Sequence, residues 1–147
     1  MIPDFDPNGN LPAGVHKATC KEFCRRFGHF EHRKKLLDGL AAALKALAAA
    51  GCRTVYINGS FVTRKLKPGD YDLCWSIDGV IPERLDPVLL DFGPAGRLAM
   101  KAKYSGDLFP AEVPEGASGK AFLDFFQTDQ RTGDPKGIVS VDLGGVE

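Results

Sequence analysis

The chain has 147 residues, of which 44% are hydrophobic and 26% are charged, so residues 1–147 have the length and composition of one globular domain. Its 19 basic residues balance its 19 acidic residues, which argues against a nucleic-acid or membrane partner recognised through overall charge. No apolar stretch is long enough to span a bilayer, and the first residues do not have the pattern of a secretory leader. We therefore expect a cytoplasmic protein with no membrane partner.

The first half of the chain contains the clearest predicted helices and strands. Residues 1–15 are rich in proline and glycine, so they predict an extended N-terminal arm with a turn at PNGN. A capping-box pattern predicts a short helix over 19–27, and apolar residues at helical spacing, followed by a glycine, predict a long helix over 31–50. The β-rich runs 53–58 and 71–77 are predicted strands, separated by a basic loop.

The second half of the chain alternates shorter elements with turn-rich loops. The run 82–92 predicts a short helix broken by a proline, and 97–104 predicts a further helix. Residues 105–113 predict a third strand, and 121–128 predict a short helix whose phenylalanines belong to the core. The alternating apolar residues of 138–143 predict a last strand. These elements together predict a mixed α/β (α+β) domain.

The stretch DYDL carries the first candidate functional residues. On a strand, Asp70 and Asp72 point to the same face, with their Cα atoms roughly 6.5 to 7 Å apart. Carboxylates that stay ionised next to a core need a cation, and hard oxygen ligands select Mg²⁺ or Mn²⁺ over Zn²⁺. A lone DxD also occurs in solvated turns. Its position at the start of an apolar strand favours the metal-ligand interpretation.

A glycine and a serine follow the strand that precedes this pair. Gly59 allows the backbone to approach a ligand closely, and Ser60 stands where a helix, SFVTRK, is predicted to begin. A helix N-terminus presents free amides and partial positive charge to phosphate, and the Ser60 hydroxyl adds a donor. Arg64, Lys65 and Lys67 lie close in sequence. The order of strand, Gly-Ser, loop and DxD therefore indicates a site for a nucleoside triphosphate with its metal.

The residues NGS at 58–60 with DYDL at 70–73 resemble the signature of the DNA polymerase beta-like nucleotidyltransferase superfamily in its minimal bacterial form. From IPDFDPNGNLP to FFQTDQRTGDPKGIVSVDL, the chain also resembles an uncharacterised bacterial family of such proteins. The resemblance implies a small mixed β-sheet with helices packed on one face. It further implies a third carboxylate on a neighbouring strand, for which Asp107 is the best match and Asp142 and Asp91 are alternatives.

The same resemblance implies a metal-dependent transfer of a nucleoside monophosphate from a nucleoside triphosphate to an acceptor hydroxyl on RNA, protein or a small molecule. Minimal members often act in toxin-antitoxin pairs, so it also implies a cognate toxin or antitoxin protein as a partner. A catalytically inactive binding or regulatory module with the same fold is the alternative. The implied catalytic and metal-binding residues are Asp70, Asp72 and Asp107, and the implied nucleotide-binding residues are Gly59, Ser60, Arg64 and Lys65.

Two further features have structural interpretations. The basic residues between His16 and Lys35 could track an RNA backbone, but the balanced net charge and the lack of an interleaved aromatic stacking platform favour a solvated helix face. The four cysteines fit no metal-ligand spacing and are interpreted as reduced, structural side chains.

Overall fold

The computed structural model of the protein describes residues 2–65, 68–129 and 131–144, except the side chains of Phe30 and Ser60. These residues form five strands and four α-helices, and none of the helices is both long and apolar enough to cross a membrane. The elements in chain order are β1 (Gly14–Ala18), α1 (Cys20–Phe27), α2 (Phe30–Ala49), β2 (Thr54–Asn58), β3 (Tyr71–Trp75), α3 (Pro94–Tyr104), β4 (Gly106–Pro110), α4 (Phe122–Phe125) and β5 (Gly137–Asp142).

The strands form one mixed sheet in the order β1-β5-β2-β3-β4. The pairs β1/β5 and β3/β4 are parallel, whereas β2 runs antiparallel to both β3 and β5. The last strand therefore lies inside the sheet, between the first strand and the second. The expectation of a mixed α/β domain is confirmed.

The two faces of the sheet differ sharply in polarity. Because side chains alternate along a strand, Val55 and Ile57 of β2 share one face with Leu73 and Leu108, and these side chains join the hydrophobic core formed with α1, α2 and α3. Asn58 and its neighbours on adjacent strands point to the opposite face. The polar positions of the strands are thus collected on a surface away from the core.

Local signals explain the helices. The Thr19 hydroxyl accepts a hydrogen bond of 3.0 Å from the Glu22 amide at the start of α1, as the capping-box pattern predicts. Leu40, Ala43 and Leu47 are buried along one face of α2. That face fixes α2 against the sheet.

Three elements differ from the sequence-based expectations. The predicted arm over 1–15 contains the beginning of β1, an edge strand exposed along much of its length, so it lacks an apolar signal. The run 82–92 forms two short 3₁₀ turns, each starting at a proline, instead of a helix. Phe122 of α4 stacks on Phe109, with their ring centroids 4.5 Å apart, on the face of the sheet opposite Leu108. The expected packing of the helices on one face of the sheet therefore holds only for the three longer helices. The phenylalanines of α4 are half-buried, which contradicts their assignment to the core.

A buried arginine joins α2 to the chain that follows β2. The Arg33 guanidinium donates to the main-chain carbonyls of Phe61 at 2.7 Å and Thr63 at 3.0 Å, and it also donates to the carbonyls of Lys65 and Phe27. Only 6% of Arg33 is exposed, so it does not belong to a solvated helix face. Burial lowers the pKa of this guanidinium. The planar fork of donors suits an arginine and not a lysine at this position.

We expect Arg33→Met to lower the free energy of unfolding by about 3 kcal/mol, because it leaves buried carbonyls without donors. Arg33→Lys should lower it by about 1 to 2 kcal/mol, since one ammonium cannot serve the same set of acceptors. Urea denaturation measures both changes, with Lys34→Met on the exposed side of α2 as the control. An Arg33→Lys protein as stable as the wild type would contradict the assigned role.

Candidate functional site

Two of the candidate aspartates lie side by side on neighbouring strands. Asp70 immediately precedes β3, Asp72 is its second residue, and Asp107 is the second residue of β4. Asp72 and Asp107 are register partners in the parallel pair, and Asn58 of β2 is the partner of Asp72 on the other side. The row Asn58, Asp72, Asp107 therefore crosses three strands on the polar face of the sheet.

Cations from α3 reach the carboxylates. The Lys101 ammonium lies 3.1 Å from Asp70 Oδ2 and 3.6 Å from Asp107 Oδ2, and Arg97 Nη2 lies 3.5 Å from Asp107 Oδ2. Arg97 and Lys101 are one helical turn apart, so α3 presents both toward the site. Lys101 thus links the first and third carboxylates.

Asp72 has the most perturbed carboxyl of the site. Burial is the main effect that raises the pKa of Asp72 from 3.8 to about 7, and the charges of Asp70 and Asp107 raise it further. The positive charges of Lys136 and Lys101 act in the opposite direction. Nearby, Asp107 Oδ1 is buried and has no hydrogen-bond partner among the described residues. The cluster therefore carries negative charge that its neighbours offset only in part.

The Gly-Ser turn lies directly against this cluster. Gly59 has a φ of +82°, and a Cβ at this position would lie 2.4 Å from Asp72 Oδ2, so only glycine fits. Ser60–Val62 forms a single 3₁₀ turn, so the predicted helix SFVTRK is wrong. The carbonyls that would accept helical hydrogen bonds are held by Arg33 instead. The backbone at Gly59 therefore lies directly against the Asp72 carboxyl.

Two of the predicted phosphate-binding side chains lie in a groove formed by the chain after the Gly-Ser turn. Arg64 and Lys65 are exposed and line a polar groove of about 600 Å³, whereas Lys67 lies outside the described residues. Arg131 and Lys136 line the same groove, and the sequence analysis missed both. Their loop precedes β5, and only the strand order, with β5 beside β2, brings that loop to the Gly-Ser turn.

The alternative third carboxylates lie elsewhere. Asp142 is the partner of Thr54, at the opposite end of β2 from Asn58, and its side chain accepts from the Gly144 amide at 2.8 Å. Asp91 accepts from the Gly93 amide at 3.1 Å, ahead of α3. Of the three candidates, Asp107 is the register partner of Asp72.

The carboxylate oxygens of the cluster are suitable ligands for a hard divalent cation, but they are not arranged as a formed metal site. Within 2–65, 68–129 and 131–144, no group of three or more His, Cys, Asp or Glu side chains is close enough to hold a metal ion. Asp70 and Asp107 are instead drawn to Lys101. Carboxylate oxygens, one of them unpartnered and buried, nevertheless suit Mg²⁺ or Mn²⁺.

Comparison with known proteins assigns the chain to a family without assigning a function. The profile of a protein family described as "Family of unknown function (DUF6932)" matches residues 3–142, which is nearly the whole chain. No curated protein and no solved structure matches.

The raised pKa of Asp72 predicts a pH-dependent stability. Because this pKa is higher in the folded protein than in the unfolded chain, folding takes up a proton between about pH 4 and pH 7. The contribution of Asp72 to stability is therefore fully present below about pH 4 and is lost as the pH rises through 7. The loss is at most about 4 kcal/mol for three pKa units.

We therefore expect Asp72→Asn to stabilise the protein relative to the wild type more at about pH 8 than at about pH 4. Urea denaturation at both pH values, in the presence of a chelator, measures the difference. The same substitution at Asp38, exposed on α2, is the control. An effect of Asp72→Asn that is the same at both pH values would show that its carboxyl is not perturbed by folding.

Proposed function

We infer from this site that the protein, which belongs to the family of unknown function DUF6932, is a metal-dependent nucleotidyltransferase. It moves a nucleoside monophosphate from a nucleoside triphosphate to an acceptor hydroxyl on RNA, protein or a small molecule. The observation that supports this proposal most is the register of Asp72 with Asp107, directly beside the turn at Gly59. That arrangement matches the third carboxylate that the sequence resemblance implies.

Each residue of the site has a proposed role. Asp70 and Asp72 hold Mg²⁺ or Mn²⁺, which supplies charge neutralisation at the phosphates. Asp107 orients the acceptor hydroxyl and accepts its proton. The backbone at Gly59 and Ser60 faces the phosphates, because the glycine leaves no side chain in the way.

Transfer then needs little covalent chemistry from the protein. The acceptor oxygen attacks the α-phosphorus in line. The bond between the α-phosphorus and the oxygen that bridges it to the β-phosphorus breaks, and pyrophosphate leaves. Arg64 and Lys65, which line the groove after the turn, would offset the charge that develops on the leaving group. The cytoplasmic location and the toxin or antitoxin partner belong to the same proposal and rest on the sequence resemblance.

Lys101 determines when the carboxylates are free for a cation. Its ammonium neutralises Asp70 and Asp107 in the structure described here, and its side chain is 47% exposed on a flexible stem. Movement of this one side chain toward solvent releases Asp70 and leaves Asp107 paired with Arg97. Lys101 and a divalent cation are therefore competitors for the same oxygens.

The Lys101 bridge also supports a second candidate function. If the bridge is permanent, the carboxylates have their counter-ion built in, and the protein is a catalytically inactive binding or regulatory module with a nucleotidyltransferase-like site. Among the described residues, no group of three or more His, Cys, Asp or Glu side chains could hold a metal ion, which fits that alternative. The two candidates differ in whether Lys101 yields to a metal.

The transferase proposal predicts transfer of label from α-³²P-labelled nucleoside triphosphates, with Mg²⁺ present, to total cellular RNA or protein. We expect Asp72→Asn to reduce transfer at least 100-fold, because a metal ligand is lost. Asp142→Asn is the matched control, since Asp142 lies on the same face of the sheet at the far end of β2. Transfer that is absent from the wild type, or equal in Asp72→Asn, would exclude the proposed activity.

Competition between Lys101 and a metal predicts that Lys101→Met binds Mn²⁺ several-fold more tightly than the wild type in calorimetry. Without metal, this variant should lose about 1 to 2 kcal/mol of stability, because the buried Asp107 carboxylate loses one of the two cations, Lys101 and Arg97, that pair with it. Lys103→Met is the control, since Lys103 lies on the same helix as Lys101 but pairs with Asp86, outside the carboxylate cluster. Absence of Mn²⁺ binding in both the wild type and Lys101→Met would favour the inactive module.

A further inference from the structure

A polar groove lies at the segment that follows the Gly-Ser turn and has three walls from distant parts of the chain. The first wall is the turn at residues 7–10, the second is the segment 63–65 after the Gly-Ser turn, and the third is formed by Asp129, Arg131 and Lys136 ahead of β5. The groove has a volume of about 600 Å³, which is within the usual range for small-molecule sites. It is open to solvent.

The three walls are joined by hydrogen bonds. The Arg64 amide donates to the Gly9 carbonyl at 2.8 Å, which fixes the second wall to the first. The Asn10 side chain donates to Asp129 Oδ2 at 3.2 Å, which fixes the first wall to the third, and both residues are more than nine-tenths buried. Within the third wall, the Gly133 amide donates to the Asp129 carbonyl at 2.7 Å. The groove is therefore a built part of the fold.

The groove has a strong excess of positive charge. Four cationic side chains line it, and the one carboxylate among its lining residues, Asp129, is already bound by Asn10 and Arg131. Hydrogen bonds from the Arg131 amide and side chain lower the pKa of Asp129 to about 2, so it stays ionised and holds the loop. The four cations are Arg64, Lys65, Arg131 and Lys136.

Lys136 connects this groove to the candidate catalytic cluster. It is half-buried at the base of the loop, where its amide donates to the Gln127 carbonyl at 2.9 Å. Its charge acts on the Asp72 carboxylate, as that of Lys101 does from the other side. The geometric connection is the segment 63–65, which lines the groove and follows the turn at Gly59, where the backbone lies against Asp72, so a ligand that extends from the groove past this turn would approach Asp72.

We propose that Arg131 and Lys136, together with Arg64 and Lys65, bind the polyphosphate tail of the nucleotide, and that the turn at 7–10 forms the outer wall of this subsite. The assignment rests on the proposed function and extends it to residues outside the Gly-Ser and DxD segments. A polyphosphate is a compact chain of negative charge, which matches clustered cations in a walled groove of this volume. An RNA backbone would need a cationic track that continues past the walls.

The test is calorimetric titration of inorganic tripolyphosphate into the metal-free protein, in the presence of a chelator. We expect Lys136→Ala to weaken binding about tenfold, and Arg131→Ala to weaken it by a similar factor, because each removes a charge-assisted contact. Lys45→Ala, on the exposed side of α2 and across the sheet from the groove, is the control and should bind as the wild type does. Circular dichroism confirms that each variant is folded.

Two results would overturn the assignment. One is tripolyphosphate binding that is absent from the folded wild type or equal in the wild type and Lys136→Ala. The other is displacement of tripolyphosphate by a 5′-hydroxyl oligoribonucleotide at matched phosphate concentration, which would indicate a nucleic-acid backbone instead.

The design separates this assignment from the transferase proposal. Tripolyphosphate binding that depends on Lys136, without label transfer by the wild type, supports the subsite and excludes the activity. Label transfer with an unchanged KM for the triphosphate in Lys136→Ala supports the activity and excludes the subsite.

Discussion

The hydrogen bonds from the buried Arg33 guanidinium set the position of the chain after the Gly-Ser turn. Arg33 belongs to α2, whose apolar face is fixed in the core, so the carbonyls of Phe61 and Thr63 take their position from the most rigid part of the molecule. Its neighbour His32 donates to the Pro68 carbonyl, on the other side of the same loop. The loop between β2 and β3 is therefore attached to α2 at both ends.

A sheet with one apolar and one polar face makes the carboxylate cluster tolerable. The apolar face provides the hydrophobic stabilisation, so the opposite face is free to collect groups whose burial is costly. Asp72 and Asp107 are adjacent there only because β3 and β4 are parallel and in register. Lys101 and Arg97 offset part of the resulting repulsion. The stability of the fold and the chemistry of the candidate site are thus separated onto two sides of one layer.

The sequence predicts those features whose signals are local. The helices 20–27 and 30–49 follow from capping and periodicity, and the strand 71–75 follows from its apolar run. The 3₁₀ turn at 60–62 could not be predicted, because its cause is an arginine far away in the chain.

The cations of the site could not be predicted either. Lys101 and Lys136 reach the cluster only through the packing of α3 and the position of β5, which are properties of the assembled sheet. The edge strand β1 has no apolar alternation, since it is largely exposed, and so it gave no recognisable pattern.

The position of β5 also has a consequence for biosynthesis. On a ribosome, β1 is made early, but the strand that separates it from β2 is made last among the five. A nascent chain can pair β2 with β3 and then β3 with β4, whereas β1 must wait for residues 137–142 before it finds its neighbour. The finished sheet therefore closes from its middle, and the groove lined by Arg64, Arg131 and Lys136 is among the last features of the nascent protein to form.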